Sequence, residues 1–328
     1  MAGQAITSQW ERLLSICLIF GAHQKKSSVL ILQRYIVARK TNTQNKDQFC
    51  LFPEDKKGEL PKRDVQYMKI LTKEDLITEL RKIRELGWIP NARLGNVGGV
   101  GNTLEDLLGI EENNLPIPNA AEWELKCHRE GTTSLVTLCH MEPSPRALGF
   151  VPRILLPYYG WSHQGAGTTY GVNEKSFRQT ISGANRSDRG FMVIVDRKSQ
   201  KVLISFDANA VDPRHKEWLN EVNRQIGSAE INTQPYWGFT DLEHRVGTKL
   251  LNCFFIQAKV KIEDRKEYYW YSDILMLQGF SIDKLLIGID QGYVYVDFDA
   301  RTGHNHGTKF RLTENMLPNL YEKVVSIK

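Results

Sequence analysis

The chain has 328 residues, of which 41% are hydrophobic and 25% are charged, and its formal net charge is +5. This composition is that of a globular protein with one large or two modest domains, and it excludes low-complexity, repetitive and coiled-coil chains. Residues 1–75 hold 13 basic and 8 acidic residues, so the whole charge excess lies there and the remainder is balanced. Balanced charge does not exclude DNA binding, which depends on local clusters.

The cysteines do not indicate a metal or disulfide framework. There are five of them, Cys17, Cys50, Cys127, Cys139 and Cys253, without CxxC spacing and odd in number. Neither a zinc site nor a set of disulfides is implied, and a reducing cytoplasm fits this pattern.

Residues 1–70 are predicted to form a basic N-terminal extension or a small accessory domain. The apolar run Leu13–Phe20 is too short to span a bilayer and has no convincing cleavage site, so we expect a buried core segment and no membrane partner. Residues 27–38 favour one or two strands, and residues 40–63 favour a charged loop. The basic excess suggests contact with DNA, although a charged surface is more often simply solvated.

A helix is predicted next, and a glycine-rich segment follows it. Thr72 to Asp75 is typical of a capping box that opens a helix to about Leu86, where Gly87 ends it. The segment 94–102 contains four glycines but no following Lys-Ser/Thr, so it is not a Walker motif. It favours either a flexible turn or a loop that approaches the DNA backbone. Thr103 is then the expected N-cap of a helix with Glu105 in its first turn.

Glu124-Leu125-Lys126 is the most informative motif of the chain. In a strand, positions two apart point to the same face, so this carboxylate and ammonium share one surface. Hydrolysis of a phosphodiester needs a divalent cation that offsets phosphate charge and activates water, and Mg²⁺ prefers oxygen ligands. Asn119 lies five residues before Glu124 and follows Pro118. The layout is that of the PD-(D/E)xK nuclease motif with Asn in the Asp position, although Glu-x-Lys alone is frequent on solvated strands.

The second half of the chain is predicted to supply mainly strands. The expected elements are, in order, a strand of the core sheet at Leu135–Leu138, a long exposed loop at Arg146–Gly171, a hairpin of Met192–Val195 and Val202–Phe206 that turns at Arg197–Gln200, a helix at Asp241–Leu251, a strand at Cys253–Ile262, an aromatic core strand at Tyr268–Tyr271 and a half-buried strand at Tyr293–Asp299.

A polar cluster near the C-terminus is a candidate DNA-contact segment. His304 and His306 form a His-x-His pair, but no third ligand is near in the sequence, so zinc is not expected. Arg301 and Arg311 could each donate two hydrogen bonds to guanine, and Asp297 could accept one from cytosine. The alternative is an ordinary polar loop before a strand.

The motifs together resemble the MvaI/BcnI restriction endonucleases, within the PD-(D/E)xK group that also includes the mismatch-repair nicking enzyme MutH. The resemblance runs from about Leu76 to the C-terminus. It is carried by Gly95–Leu108, Glu124–Lys126, Thr133–Leu138, Gln179–Gly183, Tyr236–Trp237 and His304–Arg311.

This resemblance implies an α/β, restriction-endonuclease-like fold with a central mixed sheet flanked by helices. The nuclease domain would span residues 71–328, with a catalytic core at about 71–195 and a C-terminal DNA-recognition lobe at about 196–328. By position, the catalytic residues of the family fall on Glu105, Asn119, Glu124 and Lys126, and its metal ligands fall on Asn119 and Glu124. The segment that holds Asp297, Arg301, His304, His306 and Arg311 would be part of the DNA-reading surface.

The implied function is Mg²⁺-dependent cleavage of double-stranded DNA at a short CC-N-GG type site. The resemblance further implies a monomer that nicks one strand at a time, in a bacterial or archaeal cytoplasm, with a cognate DNA methyltransferase as companion. Two alternatives are a MutH-type nicking repair nuclease and a DNA-binding protein that has naturally lost cleavage. The segment His304–Arg311 favours the restriction family over the first alternative.

Asn119 departs from the family pattern, because it is neutral where the family has a carboxylate. Two explanations compete. The chain is an engineered, cleavage-dead Asp→Asn variant, or the natural protein uses Asn while Glu122 or Glu105 supplies the charge. We favour the first, because Asp→Asn is the smallest change that disables such a site.

Overall fold

The computed structural model of the protein describes residues 71–93, 95–96, 98–110, 118–120 and 122–328. Its α-helices are, in chain order, α1 (Lys73–Glu85), α2 (Gly99–Leu108), α3 (Leu156–Tyr159), α4 (Lys216–Ile226), α5 (Phe239–Leu242), α6 (Thr248–Leu250) and α7 (Ile282–Asp290). Short 3-10 or π turns occupy Arg146–Leu148, Val151–Leu155, Pro213–His215, Glu243–Gly247 and Glu314–Leu320. The predictions made for residues 1–70 lie outside the described residues.

The strands of the described region form three sheets. They are β1 (Ile89–Pro90), β2 (Trp123–Arg129), β3 (Val136–His140), β4 (Trp161–Ser162), β5 (Lys175–Ile181), β6 (Arg189–Asp196), β7 (Lys201–Val211), β8 (Tyr236–Gly238), β9 (Asn252–Glu263), β10 (Lys266–Phe280), β11 (Val294–Arg301), β12 (His304–Asn305), β13 (Lys309–Leu312) and β14 (Tyr321–Ser326).

Helix α1 begins at the predicted capping box. The Asp75 N–H donates to Thr72 Oγ1 at 3.1 Å, and the Thr72 N–H donates to Asp75 Oδ2 at 3.0 Å. The helix ends at Leu86, and Gly87 follows with a φ of 70°, which favours glycine. Both predicted ends of this helix are therefore confirmed.

The first sheet has the strand order β1-β10-β9-β2, and β14 also pairs with β10. Strand β2 runs parallel to β9 and the other pairs are antiparallel, so the sheet is mixed. Helices α1 and α2 share a core with it through buried residues that include Leu80, Leu104, Leu125, Phe254 and Tyr271. The predicted mixed sheet with flanking helices is confirmed. Strands β1 and β2 of this sheet precede residue 195, and strands β9, β10 and β14 follow it. The predicted boundary between catalytic core and recognition lobe therefore does not coincide with a division between sheets.

The second sheet has the order β3-β13-β11-β5-β4, with β12 paired to β11. The predicted strand Tyr293–Asp299 is confirmed, and burial alternates along β11 with Val296 and Phe298 inside. The prediction that Leu135–Leu138 continues the core sheet that carries Glu124 is wrong. Strand β3 pairs with β13 in the second sheet instead, because Val136 and Leu138 fill the core beneath that sheet.

The third sheet is the predicted hairpin, β6 and β7, extended by β8. The prediction of a long exposed loop over residues 146–171 is wrong for residues 146–162, which contain helical turns, α3 and β4. Residues 163–171 form turns and are mostly exposed, as predicted. The helical turns of residues 146–162 bury Phe150, Val151 and Leu155. The Tyr159 ring, also buried, packs edge-on against Phe191 and Phe206. This burial supplies the free energy that orders the segment.

Helix α2 begins earlier than predicted. Its first residue is Gly99, and Thr103 is a buried interior residue rather than the N-cap. The Thr103 hydroxyl accepts a hydrogen bond from the Ala92 N–H at 3.1 Å instead. Gly99 fits because a Cβ there would lie 2.9 Å from the Tyr269 hydroxyl and from the Asn91 side chain. The glycine-rich segment therefore serves in part as the first turn of a closely packed helix.

The predicted helix 241–251 is confirmed as a continuous helical run through α5, a π turn and α6 that leads directly into β9. The aromatic strand is confirmed within β10, where Tyr269 and Tyr271 are fully buried. No helix among the described residues is long and apolar enough to cross a membrane.

Candidate active site and DNA-contact face

Glu124 and Lys126 form a close pair on β2. The Lys126 ammonium donates to Glu124 Oε1 at 2.6 Å, and the Glu124 side chain is only 2% exposed. Burial alone would lower the pKa of Lys126, but the adjacent carboxylate outweighs it and the pKa is raised. The lysine therefore stays protonated at neutral pH. The shared face that the two-residue spacing predicts is present.

The two oxygens of Glu124 differ in their surroundings. Oε1 also lies 3.5 Å from the Lys249 ammonium on α6, whereas Oε2 is buried and has no hydrogen-bond partner. A buried carboxylate oxygen without a partner is costly, because it has lost its water without gaining a donor. The unused lone pairs of Oε2 are therefore available to a cation.

Asn119 connects α2 to β2. Its Nδ2 donates to Glu105 Oε1 at 3.1 Å, and its Oδ1 accepts from the Leu125 N–H at 3.1 Å. That N–H belongs to the peptide that follows Glu124, so this network and the Glu124–Lys126 pair meet at one peptide bond. The structure thus brings together all four residues that the sequence predicted for the active site.

A divalent cation fits the donor chemistry of this place. Glu124 Oε2 and the second lone pair of Asn119 Oδ1 are oxygen ligands of the kind that Mg²⁺ prefers. Among the described residues, no group of three or more His, Cys, Asp or Glu could hold a metal, so a cation here would depend on the amide and on water or phosphate oxygens. Glu122 is exposed, and the structure shows no hydrogen bond from it to Asn119 or Glu124.

Two buried thiols lie close to Lys126, Cys253 on the neighbouring strand β9 and Cys139 on β3 of the second sheet. Burial raises the pKa of Cys139 and of Cys253 to about 12 in each case, although the positive charge of Lys126 opposes the shift. Both thiols are therefore protonated at neutral pH, and neither is suited to be a metal ligand or a nucleophile.

A second polar region covers the outer side of β5, β11 and β13. We call it the polar face; it is an open cleft of about 580 Å³ lined by Arg178, Gln179, Thr180, Asp297, Phe298, Asp299, Lys309 and Arg311. Asp297 accepts from Arg311 Nη1 at 3.1 Å and from Thr180 Oγ1 at 2.8 Å. Asp299 accepts from Arg178 Nε at 2.7 Å and lies 3.4 Å from Lys309 Nζ. Acidic and basic groups therefore alternate across neighbouring strands.

The predicted DNA-contact residues separate into two places. Asp297 and Arg311 lie together in the polar face, where Arg311 Nη2 also donates to the Leu135 carbonyl at 2.8 Å. Arg301 is paired with Glu174 at 2.9 Å, and its guanidinium lies 4.6 Å from the centre of the Tyr170 ring. His304 and His306 are exposed, and their nearly parallel rings have centres 6.4 Å apart.

Sequence reasoning missed Arg178, Thr180 and Lys309. The register of β11 places Thr180 opposite Asp297 and Arg178 opposite Asp299, and it pairs Asp297 with Lys309 on the other side. The alternation of β5 was a signal for exposure of residues 178 and 180, but only the register shows which carboxylate each one meets.

Comparison with known proteins identifies the family. The model of the MvaI/BcnI restriction endonuclease family matches residues 77–321. A solved structure of restriction endonuclease MvaI with its cognate DNA substrate is 27% identical, covers 77% of this chain and 97% of that chain, and superposes with a TM-score of 0.62. MvaI in the absence of DNA is 26% identical over 77% of this chain and 98% of that chain, with a TM-score of 0.44. A search of curated proteins found no match.

These findings confirm the family resemblance and the restriction-endonuclease-like α/β fold that it implied. Because the family model covers well over half of the chain, this protein belongs to the MvaI/BcnI restriction endonuclease family.

Proposed function

We propose that the protein is a Mg²⁺-dependent, sequence-specific endonuclease that hydrolyses both strands of a short DNA site. The observation that carries the proposal is the buried Glu124 carboxylate, which has one oxygen on the Lys126 ammonium and the other without a partner. Membership in a restriction endonuclease family gives the reaction class, and the MvaI structure shows that relative bound to its cognate DNA.

In this proposal, Glu124 and Asn119 hold the cation, and Lys126 acts on the attacking water. A bound Mg²⁺ would lower the pKa of that water and offset the charge of the phosphate. The Lys126 ammonium, kept protonated by Glu124, orients the nucleophile and stabilises the negative charge that develops on the phosphate oxygens. Glu105 accepts the Nδ2 hydrogen of Asn119 and so fixes the direction of its Oδ1.

Asn119 weakens cation binding in this scheme, because an amide oxygen carries no formal charge. We retain the engineered Asp→Asn substitution as the favoured explanation, with natural use of Asn as the alternative. The contact between Asn119 and Glu105 supports the second explanation in one respect, since it supplies a carboxylate close to the amide. Glu122, the other candidate for that charge, is exposed.

Specificity is assigned to the polar face. In this proposal Arg311 donates to guanine and Asp297 accepts from cytosine, which suits a site of CC-N-GG type. Arg301, His304 and His306 are proposed to contact DNA at the far end of β11. We also propose cleavage by a monomer, one strand after the other, which a single Glu124–Lys126 site fits. A bacterial or archaeal cytoplasm and a companion methyltransferase belong to the same proposal.

The decisive experiment is cleavage of a supercoiled plasmid that carries CC-N-GG sites. The protein and its Asn119→Asp version are incubated with Mg²⁺, and Glu124→Gln in each background is the matched control. We expect the Asn119→Asp version to give nicked circles before linear DNA, and the Glu124→Gln controls to give neither. If neither the protein nor its Asn119→Asp version cleaves the plasmid, and both bind the site tightly and specifically, the result would support a DNA-binding protein instead. Cleavage that depends on hemimethylation would support the MutH-type alternative.

A further inference from the structure

The helical run that ends in α6 places two basic side chains beside the active site. Lys249 lies 3.5 Å from Glu124 Oε1 and its side chain is 25% exposed. Arg245 precedes it by four residues, which puts both on one side of a helix. A π turn at Glu243–Gly247 lies between the two helices of this run, and such turns often occur at functional sites.

The same cations surround the end of β3. Arg245 Nε lies 3.4 Å from the His140 carbonyl oxygen, and Lys309 of the polar face is the strand partner of His140. Burial lowers the pKa of His140, and the charges of Lys309, Lys249, Arg245 and Lys126 lower it further. His140 is therefore neutral at neutral pH. The four cations near it, Lys126, Lys249, Arg245 and Lys309, extend from the active site to the polar face.

The carboxylates near these four cations do not balance their positive charge. Glu124 Oε1 is shared by two ammonium groups, Lys126 and Lys249. Lys309 is near Asp299, whereas Arg245 has no carboxylate within ion-pair distance among the described residues. Lys126 and Lys249 together therefore carry one positive charge more than Glu124 offsets, and Arg245 carries a second. Both charges are partly sheltered from water. Low local dielectric makes such a surplus attractive to an extended anion.

We infer that Arg245 and Lys249 bind backbone phosphates of the DNA strand between the Glu124–Lys126 pair and the polar face. In the structure, the Lys249 ammonium lies 3.5 Å from Glu124 Oε1. When DNA is bound, this ammonium contacts a phosphate and leaves the carboxylate to Lys126. This inference rests on the proposed function, because it takes DNA as the ligand. It adds two positioning residues that the sequence motifs do not indicate.

Binding measured without any divalent ion tests the inference independently of cleavage. Fluorescence anisotropy of a labelled duplex of arbitrary sequence is recorded over a series of KCl concentrations. Each phosphate contact makes the plot of log K against log salt steeper by about 0.9. Arg245→Ala and Lys249→Ala should therefore each reduce the steepness by about 0.9, and the double variant should reduce it by about 1.8. Lys249→Arg keeps the charge and should keep the slope.

Lys82→Ala is the matched control, because Lys82 is ion-paired with Glu79 on the exposed side of α1. Its slope should equal that of the parent protein, and thermal melting establishes that all variants are folded. Unchanged slopes for both Arg245→Ala and Lys249→Ala would overturn the inference and reduce Lys249 to a local partner of Glu124. If the variants change the salt slope as predicted but neither the protein nor its Asn119→Asp version cleaves DNA, the phosphate contacts stand and the proposed cleavage is overturned.

Discussion

Asn119 Nδ2 lies 3.1 Å from Glu105 Oε1, so a neutral amide separates a helix glutamate from the strand that carries Glu124. A carboxylate at position 119 could still accept from the Leu125 N–H, but it would face Glu105 with like charge. A divalent cation between the two would remove that repulsion. The identity of residue 119 therefore couples folding stability to metal binding.

Asn119→Asp is expected to destabilise the metal-free protein and to make it responsive to Mg²⁺. Loss of the hydrogen bond and the new repulsion should cost about 1–3 kcal/mol in EDTA. Mg²⁺ should restore stability, because an ion that binds only the folded state stabilises it by RT ln(1 + L/Kd), where L is the free ion concentration, and therefore raises Tm. Thermal melting with and without Mg²⁺ checks this, and equal Mg²⁺ responses of the two proteins would contradict it.

Lys126→Ala in the Asn119→Asp background is expected to abolish cleavage while specific binding stays nearly intact. One electrostatic contact to a developing charge is worth about 3–4 kcal/mol, which is several hundredfold in rate. Single-turnover cleavage and anisotropy on the same duplex measure the two effects. A rate within about tenfold of the parent, equivalent to about 1.4 kcal/mol, would remove Lys126 from the mechanism.

The Glu124–Lys126 pair also predicts an alkaline limit of stability. The folded protein raises the pKa of Lys126 above its ordinary value of 10.5, so the stabilisation is complete below pH 10.5 and is lost as the pH rises through the folded pKa. The difference in the free energy of unfolding between the parent and Lys126→Met should be constant at neutral pH and shrink above pH 10.5. Urea titrations at several pH values measure it, and a difference independent of pH would contradict the ion pair.

Arg311→Ala is expected to cost about 1–3 kcal/mol on the cognate site and to relax specificity there. The reason is the position of Arg311 in the polar face, where Asp297 holds its guanidinium. Arg301→Ala tests the second predicted guanine contact, and its effect should be of the same size if Arg301 leaves Glu174 for a base. Competition between cognate and random duplexes measures both. Equal weakening on the two duplexes would mean that the arginine contacts phosphate.

Removal of residues 1–70 tests the basic N-terminal segment. If the segment contacts DNA, the truncated protein should bind more weakly and with a flatter salt dependence. If its apolar runs complete the core, the truncation should give unstable or insoluble protein. A soluble, fully active truncation with an unchanged salt slope would refute both roles. A charge-balanced variant of residues 1–70 separates the first outcome from the second.

Several features of the protein followed from the sequence alone, because their causes are local. The capping box joins Thr72 to Asp75 within one helical turn, and the alternation of β2 places Glu124 beside Lys126 whatever the rest of the chain does. The β6–β7 hairpin is similarly fixed by two adjacent apolar runs and a short polar turn. Each of these needs only hydrogen bonds or side-chain directions that repeat over a few residues.

Other features were decided by the tertiary structure, because they depend on contacts between distant parts of the chain. The start of α2 at Gly99 is set by close packing against Tyr269, and not by the capping preference of Thr103. The position of Lys249 beside Glu124 comes from the parallel pairing of β2 with β9, which follows α6 directly. No period in the sequence encodes which strand lies next to which. That choice is made by the shared burial of apolar faces, and it decides which charged side chains meet.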